Sequence, residues 1–129
     1  MSAQDKIIVY IMMASEKGSY MGFLSKIDNN LEDMQEIVGG NIEVIRLDEN
    51  VIAILNEEGK LMGLPSNRVW LDENTDCPID VLKGNIFCCR SDGEEFASLK
   101  LEDITVIQRK LIGLKDNKFC TEDKLPAVP

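Results

Sequence analysis

The stretch KIIVYIMMA, residues 6–14, decides the fold because it is apolar almost throughout. A strand buried on both faces has such a run, whereas a half-exposed strand alternates apolar and polar residues. The run is shorter than the roughly 18 residues needed to cross a bilayer. It has no basic segment before it, and turn residues follow it, so it does not read as a signal peptide. We therefore predict a central strand of a sheet in a cytoplasmic protein.

Two later segments have the spacing of amphipathic helices. The first is predicted to begin at Asn29, whose side chain would cap it with help from Glu32 three residues later, and to end at Gly39. The second is predicted over about residues 99–111, with Ser98 as its cap. Both have an apolar stripe that requires a partner surface.

Further β-rich runs supply the rest of the predicted sheet. They are residues 20–27, which can pair back onto the first strand, and residues 41–47, 51–55, 79–82 and 85–89. Because helices and strands do not alternate strictly, we predict an α+β fold with a mixed or antiparallel sheet of about five to seven strands and both helices on one face. One domain is expected over residues 1–113, with residues 114–129 as a tail or edge segment.

The charge of the chain limits its partners. Among 129 residues there are 23 acidic and 14 basic side chains, giving a net charge of −9. Sequence-independent binding to nucleic acids and anionic membranes depends on Lys and Arg, so we expect neither as a partner. Salt screens charges over about 8–10 Å, so a few local basic groups can still bind a small anion. An acidic surface also suits a protein that mimics DNA.

The chain contains no histidine, the commonest general base and metal ligand. Ser–His and Cys–His nucleophile pairs are therefore excluded. Adjacent carboxylates occur in predicted turns and on predicted exposed helix faces, where solvation is their ordinary role. The chain contains neither of the glycine-rich phosphate-binding motifs, G-x-G-x-x-G and G-x-x-x-x-G-K-S/T. We expect no catalytic residue, no metal and no cofactor.

The four cysteines are predicted to be buried, unreactive thiols. They are Cys77, Cys88, Cys89 and Cys120. Their even number permits disulfides, but a cytosolic location would keep them reduced. Cys88 and Cys89 are neighbours in a predicted strand and would point to opposite faces.

Residues 56–70, NEEGKLMGLPSNRVW, contain the candidate ligand-binding side chains. Gly63 and Pro65 interrupt regular structure here, and an irregular segment is predicted over residues 63–68. The candidates are Asn56, Lys60, Asn67, Arg68 and Trp70. Lys60 and Arg68 would hold phosphate, the two asparagines would read polar edges of a base or ribose, and the tryptophan would stack.

A purely structural role for the same residues is the alternative. Asn56 would then shape a turn, and the side chains of Asn67 and Arg68 would bond nearby backbone carbonyls. Trp70 would fill the core. Residues of these types serve either role, so their identity alone does not decide between the two.

Several blocks in order resemble one known family. They are residues 27–35 with 38–40 and 42–44, then 56–60, 63–65 and 67–68, then 80–84 and 92–99. Together they resemble the uncharacterised family catalogued as domain of unknown function 3846, over about residues 20–111. The resemblance implies an origin in phages and mobile elements of low-GC Gram-positive bacteria, often near antirestriction genes. It implies no established reaction.

The resulting hypothesis is a non-enzymatic phage counter-defence protein in the host cytoplasm. It would be a homo-oligomer that acts as a sponge, sequestering a small nucleotide-derived immune signal. The alternative is an acidic protein-interaction module or DNA mimic that blocks a host restriction or defence protein. An enzyme that uses carboxylates and a metal is a third class, and the sequence favours it least.

Overall fold

A computed structural model describes residues 5–72 and 74–114. In chain order the elements are β1 (Lys6–Met12), β2 (Ala14–Ser15), β3 (Gly18–Ser19), β4 (Phe23–Asp28), α1 (Leu31–Val38), β5 (Ile42–Arg46), β6 (Val51–Asn56), β7 (Ser66–Leu71), β8 (Pro78–Lys83), β9 (Ile86–Asp92), β10 (Glu95–Ala97), α2 (Leu101–Lys110) and β11 (Leu111–Gly113). Apart from Leu114, the predicted tail lies outside the described residues.

The main sheet is antiparallel and has six strands. Its order is β4-β1-β9-β6-β5, and β10 also pairs with β9. In β1, Ile7 lies opposite Ile27 of β4, and Tyr10 lies opposite Cys88 of β9. The α+β class, the antiparallel sheet and the interior position of β1 are confirmed. A second sheet has the order β11-β7-β8, and β2 pairs with β3.

Both faces of the main sheet are covered, but by different elements. One face packs against α1 and contains the buried residues Ile7, Val9, Ile11, Met34, Val38, Ile52, Ile54, Phe87 and Cys89. The other packs against α2 and the second sheet and contains Tyr10, Met12, Leu47, Val51, Ala53, Leu55, Leu82, Ile86, Cys88, Ile107 and Leu111. The two helices therefore lie on opposite faces, which corrects the prediction that they share one. Strands that are apolar on both sides require a cover on both sides.

The helix caps differ from the predictions by one or two residues. Asn30 caps α1, because its side-chain oxygen accepts a hydrogen bond from the Asp33 N–H at 2.8 Å. Asn29 instead donates to the carbonyl of Phe96, at 3.3 Å. Gly39 ends α1 with a φ of 81°, a left-handed conformation that glycine adopts at low cost.

Ser98 does not cap α2. Its hydroxyl accepts a hydrogen bond from the Ile8 N–H of β1 at 2.8 Å, and the helix begins after Lys100. The segment predicted to be irregular is also shorter than expected, because β7 begins at Ser66, directly after Pro65. Proline has no backbone N–H to donate to a neighbouring strand, so the hydrogen-bonded ladder begins at the next residue.

Cys88 and Cys89 are free thiols on opposite faces of the main sheet, as predicted. Burial raises the pKa of Cys89 to about 12. Burial is also the main reason why the pKa of Cys88 is raised, so neither thiol is a nucleophile at neutral pH. Cys77 is disulfide-bonded, which corrects the prediction that it is a thiol.

Within the described residues, no helix combines the length and the apolar character that a membrane crossing requires. The longer of the two helices, α2, has ten residues. The apolar face of each helix is buried in one of the two hydrophobic cores.

One ion pair anchors α2 to the main sheet. Arg90, at the end of β9, donates to both carboxylate oxygens of Asp103, at 2.7 and 3.0 Å. The same carboxylate accepts from the Lys100 N–H at 2.8 Å and so also caps the helix. Burial acts to raise the pKa of Asp103, but the hydrogen bonds from Arg90 and Lys100 outweigh it, and the pKa lies below its ordinary value.

The change Asp103→Asn is expected to lower the free energy of unfolding by about 2–3 kcal/mol at pH 7, because it removes the charge partner of Arg90. Because the pKa of Asp103 is lower in the folded than in the unfolded protein, this carboxylate stabilises the fold at pH values above its unfolded pKa of about 3.9. The stabilisation is lost as the pH falls through the folded-state pKa of Asp103. Urea unfolding of both proteins between pH 7 and pH 2.5 should show the difference shrinking below about pH 4.

The matched control is Glu102→Gln, an exposed carboxylate in the same helical turn. It should change the free energy of unfolding by less than about 0.5 kcal/mol. Equal effects of the two variants would contradict the assignment of the ion pair as an anchor.

Candidate functional site

Asn56 joins the end of α1 to the turn after β6. Its side chain is buried, its amide nitrogen donates to the Val38 carbonyl at 3.2 Å, and its oxygen accepts from the Glu58 N–H at 2.7 Å. Gly40 packs against it so closely that a Cβ there would lie 2.9 Å from the amide nitrogen. Its hydrogen bonds therefore shape the turn.

Asn67 fastens the second sheet to the main sheet. It is fully buried, and its amide nitrogen donates to the carbonyls of Met12 and Gly84, each at 2.8 Å. Met12 ends β1, and Gly84 lies between β8 and β9. One side chain thus connects three segments that are far apart in sequence.

Arg68 follows in β7 and is 7% exposed. Its Nη1 donates to the Asn67 side-chain oxygen at 2.8 Å and to the Asn67 carbonyl at 3.1 Å. Its Nη2 donates to the Tyr20 carbonyl at 2.5 Å. These contacts hold the guanidinium rigidly and fix the connector, residues 20–22, that precedes β4.

Lys60 and Trp70 both lie close to Asp80 of β8. Lys60 pairs with Asp80 at 2.5 Å, and both side chains are partly exposed. Trp70 is half-buried and packs against the core on the α2 side of the main sheet.

Two cavities border β7, one beside its neighbour β8 and the other beside its neighbour β11. The Trp70 cavity, of about 270 Å³, is lined by Glu43, Ile45, Leu55, Asn56, Glu57, Glu58, Gly59, Lys60, Leu61, Trp70, Asp80, Val81, Leu82 and Lys83. The Arg68 cavity, of about 310 Å³, is lined by Tyr10, Met12, Tyr20, Met21, Gly22, Arg68, Ile107, Gln108, Leu111, Ile112 and Gly113.

The five candidate residues therefore do not form one site. Asn56, Lys60 and Trp70 line the Trp70 cavity, and Arg68 lines the other. Asn67 is buried between the sheets and lines neither. The prediction grouped them because they are close in sequence. In the structure they are divided between two cavities and the interior.

The two cavities have opposite electrostatic character. Four carboxylates and two lysines line the Trp70 cavity, whereas Arg68 is the only charged residue among the described residues that line the Arg68 cavity. The field of Arg68 extends into the core beneath it: burial and the neighbouring Cys89 raise the pKa of Cys88, and Arg68 opposes that rise.

Sequence reasoning missed the other polar residues of the Arg68 cavity, Tyr20 and Gln108. Tyr20 precedes β4 and Gln108 lies on α2, so only the fold brings them beside Arg68. The one sequence signal is Gly22, where a Cβ would overlap the ring of Tyr10. Gly22 lies between Met21 and Phe23, two large exposed residues, and its lack of a side chain permits this close approach of backbone to ring.

No group of three or more His, Cys, Asp and Glu side chains is arranged to hold a metal ion within residues 5–72 and 74–114. The carboxylates around the Trp70 cavity therefore do not converge on one point.

The profile of one family, described as Domain of unknown function (DUF3846), matches residues 11–112. The chain belongs to this family. The DUF3846 match contains every lining residue of the Trp70 cavity and all of the Arg68 cavity except Tyr10 and Gly113. The description of DUF3846 gives no activity. Among curated proteins and solved structures, no significant match to the chain is found.

The role of Asn67 in joining the sheets predicts the effect of removing it. Asn67→Ala should lower the free energy of unfolding by about 2–4 kcal/mol, because two buried hydrogen bonds are lost and a small void remains. Asn74→Ala, an exposed asparagine in the loop before β8, is the matched control and should change it by less than about 0.5 kcal/mol. Urea unfolding measures both, and equal stabilities of the two variants would contradict this role.

Proposed function

We propose that this DUF3846 protein is a non-enzymatic binding protein that sequesters a small anionic, nucleotide-type ligand in the Arg68 cavity. The observation that carries the proposal is the lining of that cavity, in which a rigidly held guanidinium is the only charge among the described residues. The volume of about 310 Å³ lies at the lower end of the range typical of small-molecule sites, about 300–1,000 Å³.

The chemistry of the lining suits a nucleotide. The guanidinium is planar, permanently charged and suited to phosphate oxygens. Its low exposure reduces the screening of its charge by water, so its attraction for an anion is stronger than at a surface. The ring of Tyr20 is 52% exposed and offers a stacking face, and the exposed amide of Gln108 can both donate to and accept from a base edge.

This assignment changes the roles predicted from sequence. Arg68 keeps its role as the phosphate-binding residue, whereas Asn56, Lys60 and Trp70 lie at the other cavity. Stacking is reassigned to Tyr20. A sponge for a nucleotide-derived immune signal of the host remains our biological proposal, supported by the phage context that the family resemblance implies.

Binding without turnover agrees with the residues present. The described lining of the Arg68 cavity has no carboxylate, thiol or histidine that could act as a general base. The net charge of −9 slows the approach of an anion, but physiological salt screens it beyond about 8 Å. A ligand at the cavity mouth therefore senses Arg68 and its immediate neighbours.

Calorimetric titration with a panel of linear and cyclic mono- and oligonucleotides tests the proposal. We expect at least one ligand to bind with a dissociation constant below about 10 µM and to be recovered unchanged after incubation with Mg²⁺ or Mn²⁺. Gln108→Glu should weaken that binding by about 5–10-fold and Gln108→Lys should strengthen it, because the exposed position 108 changes the charge at the cavity without disturbing the core.

Asn74→Asp adds the same negative charge away from the cavity and is the matched control. It should leave the affinity within about twofold of the wild type. No binding tighter than about 1 mM across the panel, or equal effects of the charges at positions 74 and 108, would sink the proposal.

The Trp70 cavity favours a second function, an acidic module that binds a host protein. Glu43, Glu57 and Glu58 are exposed at its rim, and their carboxylates make no hydrogen bond or ion pair within the part of the chain that the structure describes. Leu61, beside them, is 87% exposed. Unpaired carboxylates around apolar and aromatic side chains complement a partner with Lys or Arg side chains.

This alternative predicts a salt-sensitive complex with a nucleic-acid enzyme in a pull-down from host lysate. The double variant Glu57→Gln/Glu58→Gln should lower the yield of that enzyme at least about fivefold. Glu94→Gln/Glu95→Gln, which removes one carboxylate from the turn after β9 and one from the first residue of β10, should not. Equal yields from the two variants would exclude the cavity as the binding site.

A further inference from the structure

The connector before β4 and the first half of this strand form an exposed apolar patch at one edge of the main sheet. We call it the β4 patch; its residues are Tyr20, Met21, Phe23 and Leu24, with exposures of 52%, 89%, 47% and 47%. Single exposed apolar residues are common, but four within five positions indicate a surface that is covered in the working state of a protein.

The two edges of the main sheet differ. Among the described residues β4 pairs only with β1, so its outer edge is open. Natural edge strands are usually protected by charged side chains, proline or bulges. At the opposite edge, β5 carries Glu43 and Arg46 within five residues, whereas residues 20–25 carry no charge. The two charges of β4, Lys26 and Asp28, lie in its second half, so only the first half of the β4 edge lacks the protection that the β5 edge has.

Charge favours a second copy of the chain as the partner. Two chains with a net charge of −9 repel each other over most of their surfaces. Residues 20–28 contain one lysine, Lys26, and one acid, Asp28, so this segment is neutral. The chain can therefore approach its own copy here without repulsion from this segment.

Backbone geometry agrees with this partner. Two identical edge strands related by a two-fold axis run antiparallel, and each presents the same donors and acceptors to the other. We propose that two copies of the chain pair through their β4 edges, join their main sheets and bury the β4 patch between them.

The pairing also affects the Arg68 cavity. Tyr20 and Met21 belong both to the β4 patch and to the wall of that cavity. The Arg68 hydrogen bond to the Tyr20 carbonyl and the contact of Gly22 with Tyr10 fix this wall before any partner arrives. A second copy therefore covers the mouth of a preformed cavity. This closure rests on the proposed function, whereas the pairing itself does not.

Light scattering coupled to size exclusion tests the pairing. The wild type should have twice the chain mass of 14.5 kDa. Phe23→Lys/Leu24→Lys, at two positions that do not line the Arg68 cavity, should weaken the dimer by about 100-fold, because it places four charges in the interface. Leu61→Lys, at a position 87% exposed but outside the β4 patch, is the control and should remain dimeric. Circular dichroism checks that each variant is folded.

Hydrogen exchange on the wild type gives a second measurement that needs no variant. The amides of Phe23–Asp28 should become more protected as the protein concentration rises, whereas those of β5 should not. A wild type that is monomeric at about 1 mM, a dimer that survives the double lysine change, or protection that does not depend on concentration would each overturn the pairing.

The nucleotide panel separates the two proposals. The monomeric double variant should bind its ligand about tenfold more weakly than the dimer does. Unchanged affinity would refute the closure of the cavity and leave the proposed function standing. A dimer that binds no nucleotide would confirm the pairing and refute the proposed function.

Discussion

The hydrogen bonds of Asn67 are the constraint on which the rest of the structure depends. A buried amide must find partners, and this one donates to the carbonyls of Met12 and Gly84 and accepts from Arg68. It therefore sets the position of β7 relative to the main sheet. In that position the strand borders the two cavities. Asn67 thus has a structural role, and any functional role of its neighbours depends on it.

The layers of the fold explain why the cavities lie where they do. Apolar side chains on both faces of β1, β6 and β9 require two covers. A single helix, α1, covers one face, and the other is shared by α2 and a three-stranded sheet. This face therefore contains a junction between a helix and a small sheet. The Arg68 cavity lies at this junction, between β7, β11 and α2.

The sequence was sufficient to predict elements whose signal is local. The apolar run of β1, the β-rich runs that form β5 and β6, and the glycine that ends α1 are all present in the structure. The face on which each helix packs could not be predicted, since an apolar stripe does not identify its partner. The candidate site was predicted from adjacency in sequence, but Arg68 and Trp70, two residues apart in β7, line different cavities. Tyr20 and Gln108 join Arg68 only through tertiary contacts.

That residue 68 is an arginine is relevant to whether its hydrogen bonds are purely structural. The carbonyls of Tyr20 and Asn67 require hydrogen-bond donors, and a neutral amide could provide them without bringing a charge into the protein. Arginine satisfies the same carbonyls and adds a permanent positive charge, whose field reaches Cys88. In a chain with 23 acidic residues, that charge faces a cavity whose described lining contains none of them. A purely structural role explains the hydrogen bonds of Arg68, and the charge beside a cavity without described acidic residues supports our proposal of an anionic ligand.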